Sequence, residues 1–322
     1  MPFSALGMSG ELLEVQGLHV RFGPVSVLED VAFFIRAGEI VGLVGESGSG
    51  KSTIARAVLR LIPIASGSVE FLGRNLRSVE SRELRRLRRD LQIVFQDPLA
   101  SLNPRMTIGD ALAEPLLIHE PQLTARERES RVSGMLERVG LPGDIVRRYP
   151  HEFSGGQCQR IGIARAMMPR PKLLVCDEPV SSLDVSIQGQ IVNLLADLQR
   201  ETGAAVLFIS HNLAVVRHLS RRVLVIYRGR VVESAGCDEL FARPVHPYTR
   251  ELLAAVPHLS APPPGRIAAR AEDSTGVAPG AGGCSFHPRC AFAQESCLRG
   301  VPPLAQVQPG HLAACHRWRE LV

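Results

Sequence analysis

Ile40-Val41-Gly42-Leu43-Val44 followed by Gly45-Glu46-Ser47-Gly48-Ser49-Gly50-Lys51-Ser52 decides the fold of this chain. The first five residues form a short apolar run, the pattern of a buried parallel strand. Gly45 to Gly50 is rich in glycine and serine. From Ser52 to Leu61, residues Ile54, Ala57, Val58 and Leu61 fall on one helical face. Strand, glycine loop and helix are the context in which G-x-x-x-x-G-K-[ST] binds phosphate. Glycines let backbone N–H groups converge on phosphate oxygens, and the helix start adds its positive dipole end. On this reading Gly45, Glu46, Ser47, Gly48, Ser49, Gly50, Lys51, Ser52 and Thr53 hold ATP. Lys51 reaches the β- and γ-phosphates, and Ser52 coordinates Mg²⁺.

On the N-terminal side, Leu13-Glu14-Val15, Leu18-His19-Val20 and the run Val31 to Ile35 read as β structure. On the C-terminal side the pattern predicts helices over Glu80 to Asp90, Thr107 to Ile118, Thr124 to Val139, Gln157 to Met168 and Ser186 to Glu201. Strands are predicted over Leu173 to Cys176 and Ala204 to Ile209, with a hairpin about Arg228-Gly229-Arg230. Strands alternating with helices imply an α/β core with a mostly parallel sheet. The phosphate loop occurs once, so there is one nucleotide-binding unit. Arg82, Arg85, Arg86, Arg88 and Arg89 read as a solvated helix face, with Leu84, Leu87 and Leu91 inward.

Composition narrows the function classes. The 322 residues are 45% hydrophobic and 21% charged, with mean hydropathy +0.07, so the chain is not disordered. Net charge is +5 and the pI is near 9.0, a mild excess that reads as solubility. Aromatic residues at 5% leave little for base-stacking platforms, and no nucleic-acid partner is expected. No apolar run is long enough to span a bilayer, and Met1 to Gly10 is no secretory signal, so a cytosolic location is expected.

Leu173-Leu174-Val175-Cys176-Asp177-Glu178 supplies acids at the end of a buried strand. Asp177 is placed to hold Mg²⁺ through water, and Glu178 to activate a water as general base. Between this strand and the phosphate loop lies Phe153-Ser154-Gly155-Gly156-Gln157, a Ser-Gly-Gly turn opening a helix and hence a second anion site. This pentapeptide resembles the signature of ABC-transporter ATPases, usually written with Leu before Ser-Gly-Gly-Gln.

The resemblance implies further roles. Gln96 resembles the glutamine-loop residue that touches Mg²⁺ and the attacking water. Ser182-Leu183-Asp184 resembles the D-loop, and His211 the switch histidine that contacts the γ-phosphate. Phe22 lies where an aromatic stacks on adenine. Ser154, Gly155, Gly156, Gln157 and Asp184 would contact ATP held by a partner subunit. Phe153 replaces the commoner Leu. Cys158 stands where an Arg often follows, a position expected to face the partner's nucleotide. The match is nearer to the ATP-binding subunits of oligopeptide, dipeptide and nickel importers, through Phe95 to Pro104, Asp177 to Ser186, and His246-Pro247-Tyr248-Thr249 with Leu252-Leu253.

That family has a P-loop NTPase core with an antiparallel β subdomain and a helical subdomain, here about residues 97–160. The implied organisation is a nucleotide-binding domain over 11–258, then a linker and a small irregular extension over 259–322. The implied partners are a second ATPase subunit (paralogue or self), two transmembrane permease subunits and an extracytoplasmic solute-binding protein. The chain would sit peripherally on the cytoplasmic face of the inner membrane. A soluble ABC ATPase working on ribosomes or DNA is the rival reading; such proteins usually carry fused nucleotide domains or long coiled coils, and neither appears.

Ala261 to Gly265 and Gly276 to Gly283 read as a linker. Beyond it Cys284, Cys290, Cys297 and Cys315 crowd into a segment with little core of its own. Such a piece calls for a staple. The gaps of five, six and seventeen residues are wider than the tight pairs of zinc sites. A [4Fe–4S] cluster, carried by some of the importer subunits that this chain resembles, ranks above zinc, and either above free thiols.

Overall fold

The computed structural model describes residues 11–255 and 282–321. The decapeptide Met1 to Gly10, the boundary near residue 259 and nearly all of the expected linker lie outside the described residues.

The chain runs through β1 (Glu11–Phe22), β2 (Val25–Arg36), β3 (Ile40–Val44), α1 (Lys51–Val58), β4 (Ser66–Phe71) and β5 (Arg74–Asn75). Next come α2 (Ser81–Leu87), β6 (Leu91–Val94), α3 (Pro98–Ser101), α4 (Ile108–His119), α5 (Ala125–Arg138) and α6 (Gly155–Met167). Then follow β7 (Leu173–Asp177), α7 (Val185–Thr202), β8 (Ala205–Ile209), α8 (Leu213–Leu219), β9 (Arg222–Tyr227), β10 (Arg230–Gly236), α9 (Cys237–Ala242) and α10 (Pro247–Ala254). Last are β11 (Ala305–Gln308), β12 (His311–Ala313) and α11 (Trp318–Leu321). Two compact units emerge. One takes the described residues up to 34, 41–71 and those from 210 onward; the other takes 35–40 and 72–209.

In the first unit β1 pairs antiparallel with β4, Leu13 opposite Phe71 and Val15 opposite Val69. The buried positions of β1 change phase from Leu13 and Val15 to Leu18 and Val20. The register shifts between Gln16 and His19, where Gly17 at φ +53 absorbs the extra residue. A five-strand run β11-β12-β10-β9-β3 carries the phosphate loop at its β3 end. β3 lies parallel to β9, Val44 beside Val225.

The C-terminal extension is woven into this unit. β12 pairs antiparallel with β10, Glu233 opposite Ala313. The fully buried Glu233 carboxylate accepts from the N–H groups of Val245 (2.7 Å) and His246 (3.0 Å) and lies 2.7 Å from His311 Nε2. These partners offset the cost of burying the acid. Phe286 is buried and packs edge-on against Tyr227 at 5.3 Å, with Tyr248 at 5.6 Å and His246 at 5.7 Å. The sequence predicts a piece unable to fold by burial alone; instead it borrows a core, and Phe286 alone is worth about 1.5–3 kcal/mol of burial.

In the second unit β6, β7 and β8 are parallel, Leu91 beside Leu173 and Asp177 beside Ile209. Every residue of β7 and β8 is buried, which is why these strands read as unbroken apolar runs. α2 buries Leu84 and Leu87 and exposes Arg82, Arg85 and Arg86. Leu91 is not on that helix face; the helix ends at Leu87 and Leu91 starts β6. Arg89 reaches the buried Glu120 carboxylate at 3.4 Å, which Arg131 also meets at 3.0 Å. α4 and α5 begin on Thr107 and Thr124, whose hydroxyls accept from Asp110 N–H and Glu127 N–H.

Candidate functional site

The phosphate loop leaves β3 at Val44 and enters α1 at Lys51. Gly45 has no room for a side chain, since a Cβ there would lie 2.3 Å from the Ile226 carbonyl oxygen. Gly50 caps α1 at φ 105 with no side-chain hydrogen bond. A helix start of this kind points its N–H groups and its positive dipole end at the loop, the arrangement that favours an anion. Lys51 is buried, and its ammonium donates to the carbonyls of Gly45 and Glu46, both at 2.9 Å. The Ser49 hydroxyl is buried without a hydrogen-bond partner. Ser47 and Gly48 are exposed, and a cavity of about 370 Å³ lies against residues 46–49, closed by Tyr227, Arg228, Pro288 and Arg289.

Two contacts on this loop come from the C-terminal half. The Glu46 N–H donates to the Tyr248 hydroxyl at 2.9 Å. The Glu46 carboxylate takes a two-pronged pair from Arg289, at 3.0 and 2.9 Å. Arg289 also donates to Glu251. Burial raises the Tyr248 phenol above its ordinary range. These contacts span 202 and 243 residues, and no local pattern announces them. The same unit holds Phe22, half exposed at 51%, and His211, exposed just before α8.

The second unit carries the remaining predicted residues. Asp177 ends β7 and is 3% exposed. Glu178 follows at φ +48, a left-handed backbone rare for a non-glycine residue, and its N–H donates to the Ile209 carbonyl at 3.0 Å. Such local strain persists only where the surrounding structure holds it, as the pairing with β8 does here. Gln96 is exposed after β6.

Ser154 caps α6 in a complete capping box. Its hydroxyl accepts from Gln157 N–H at 3.3 Å, and its own N–H donates to the Gln157 side chain at 3.0 Å. The N–H groups of Gly155 and Gly156 have no intrahelical acceptor. Asp184 is exposed at the start of α7, and the next residue, Val185, is 85% exposed. Cys158 corrects an expectation: it is fully buried beneath the turn, its thiol 3.4 Å from the Pro150 carbonyl, and burial pushes that thiol up. It does not present itself to a partner's nucleotide.

Two sequence profiles match the chain: one described as ABC transporter over residues 28–181, and one described as the C-terminal region of oligopeptide/dipeptide transporters over 232–297. A Brucella ovis protein with the provisional name of a peptide import ATP-binding protein is 51% identical over 95% of this chain and 98% of its own. This chain belongs to the ABC transporter ATPase family. The oligopeptide transport ATP-binding protein OppF of Haemophilus influenzae is 48% identical over 90% of this chain and 88% of its own. Among solved structures, cbiO1 of Clostridium perfringens, part of the ABC transporter complex cbiONQ, matches with a TM-score of 0.66 and 27% identity, covering 73% of this chain and 92% of its own. The ATP-binding cassette MJ0796, in a dimeric post-hydrolysis state with ADP and Pi, matches with a TM-score of 0.64 and 28% identity, covering 70% of this chain and 98% of its own.

This ABC ATPase therefore has the expected mixed α/β fold and binds and hydrolyses ATP with Mg²⁺. It works with membrane permease partners as part of an importer. No helix among the described residues is long and apolar enough to cross a membrane, which suits a subunit peripheral to it. Cys284, Cys290, Cys297 and Cys315 all line one small cavity, together with Phe286 and Phe292. Burial raises the Cys284 and Cys290 thiols, and Cys315 to about 11. Among the described residues no group of three or more His, Cys, Asp or Glu side chains is placed to hold a metal ion.

Proposed function

We propose that this ABC ATPase energises uptake of peptides across the inner membrane from its cytoplasmic face. The observation that carries the reading is the match of residues 232–297 to the C-terminal region of oligopeptide/dipeptide transporters. It is supported by relatives named for peptide import that align along nearly the whole chain.

In this proposal residues 11–258 act as the nucleotide-binding domain, and two such domains, self or paralogue, close head to tail. Phe22 stacks on adenine, and residues 45 to 53 hold the phosphates. Ser52, Gln96 and Asp177 hold Mg²⁺. Glu178 takes the proton of the attacking water, while Gln96 and His211 orient water and γ-phosphate. Ser154 to Gln157 and Asp184 contact the ATP of the opposite subunit. Closure moves the two permease subunits, which receive peptide from an extracytoplasmic binding protein.

A groove of about 210 Å³ in the second unit suits a permease segment. It is lined by Phe95, Pro98, Glu114, Ile118, Gln159 and Arg165. The Gln159 amide is buried with neither its nitrogen nor its oxygen hydrogen-bonded, which leaves a donor and an acceptor for an incoming backbone.

The four cysteines are proposed to hold a [4Fe–4S] cluster. The four thiols line one cavity and are a donor set of the right number and softness, but as they stand they are not placed to hold a metal ion, so binding a cluster requires them to draw together. The cluster would be a structural tie within the extension, since ATP hydrolysis uses no electron carrier. Iron and acid-labile sulfide, with visible absorption that bleaches on reduction, are expected; zinc without iron overturns the assignment. The transport proposal is tested by reconstituting the complex in vesicles. ATP-dependent uptake of peptides is expected. Uptake of nickel alone, or recovery of the subunit with ribosomes or DNA instead of polytopic membrane proteins, overturns it.

A further inference from the structure

We propose that Arg289, from the C-terminal extension, is a positioning residue for the phosphate loop: it neutralises and anchors Glu46 so that the loop accepts a polyphosphate. The starting point is an electrostatic conflict. Glu46 is the second residue of a loop that must gather a multiply charged anion. A bare carboxylate there repels the ligand, and the repulsion grows as closure removes water.

The geometry resolves the conflict with one cation from far along the chain. Both guanidinium terminal nitrogens of Arg289 engage both Glu46 oxygens, at 2.9 and 3.0 Å. Such a fork fixes direction as well as charge. Arg289 is itself held in place. Its N–H donates to the Phe286 carbonyl at 3.1 Å. Its guanidinium lies 5.6 Å from the Phe286 ring centre and 5.8 Å from that of Tyr227. Phe286 is buried in the aromatic cluster that docks the extension. Glu251 shares the same guanidinium, so loss of Arg289 leaves two carboxylates uncompensated beside the loop. The backbone of Glu46 is meanwhile held by Tyr248. The extension thereby acts as an arm that completes the ATP site within its own chain, whatever the four cysteines carry.

The inference rests on the reading of residues 45–52 as the ATP loop, and the test separates the two. Nucleotide affinity is measured on the full chain with a fluorescent ATP analogue and Mg²⁺, for wild type, Lys51→Ala, Arg289→Met, Arg289→Lys and Arg289→Met in a Glu46→Gln background. Arg289→Met is expected to weaken binding about tenfold, and Arg289→Lys by less, because the charge remains while the fork is lost. The effect of Arg289→Met should shrink at high salt, as an electrostatic repulsion must. In the Glu46→Gln background the same substitution should cost clearly less, since only the Glu251 carboxylate is then left to neutralise. Equal loss in both backgrounds assigns Arg289 a merely structural part and overturns the proposal. Unchanged affinity in Arg289→Met, with Lys51→Ala impaired, overturns it as well. Unchanged affinity in Lys51→Ala overturns instead the reading of the loop.

Discussion

The phosphate loop and the signature turn are both glycine-rich starts of a helix, and they are finished in opposite ways. At the phosphate loop the cap is Gly50, with no side-chain hydrogen bond, and the lysine turns inward onto the loop's own carbonyls. At the signature turn Ser154 and Gln157 close a full capping box, and the surface around it stays exposed. The first helix start spends no side chain on capping its own N–H groups. The second is stable without one and offers only what its box leaves over, the Gly155 and Gly156 N–H groups and a hydroxyl hydrogen. These two finishes suit the proposed division of labour, in which the loop binds the nucleotide and the signature turn meets one held by the opposite subunit.

The comparison can be sharpened most by removing the step that follows their meeting. Glu178→Gln should lower ATP turnover by about 10²- to 10⁴-fold, the usual worth of a general base, while ATP binding persists and an ATP-dependent dimer accumulates. Turnover and gel filtration check this; unchanged turnover removes Glu178 as the base.

Lys51→Ala strikes one side alone. Binding should fall by about a hundredfold or more, the range for truncating a charge-assisted contact. Calorimetry reads it, and retained micromolar binding would break the assignment of the loop.

Ser154→Ala strikes the other. A single chain should keep its ATP affinity, while turnover at dimer-forming concentration falls about tenfold. Loss of the cap should cost about 0.5–2 kcal/mol of stability, visible in denaturant melts. Weakened binding by the isolated chain would contradict the division of labour.

Tyr248→Phe is the mildest. It removes the acceptor of the Glu46 N–H and should cost about 1 kcal/mol, a few-fold in ATP affinity. Urea melts should show the signature helix unaffected.

Much of this was legible in the chain. The phosphate loop, the acidic strand end and the signature are contiguous motifs in which backbone geometry and side chain are set by neighbours a few residues away. Both helix caps at Thr107 and Thr124 follow the same rule. Leu91 was misread because an apolar residue at helical spacing cannot reveal that the helix stops four residues earlier. Cys158 was misread because a motif position does not state whether its side chain points outward or under the turn.

The extension divides most sharply between what residues say and what packing says. Its four cysteines were visible by count and spacing. Their gathering round one cavity was not, nor was the strand β12 laid along β10. Residues alone were enough to read ATP binding and to propose a second signature-bearing surface, because both readings rest on short runs of backbone N–H groups and acids. That Glu46 answers to Tyr248 and Arg289 came from packing alone. Pairs more than two hundred residues apart are selected by how sheets and a buried phenylalanine pack, and no local periodicity records that choice.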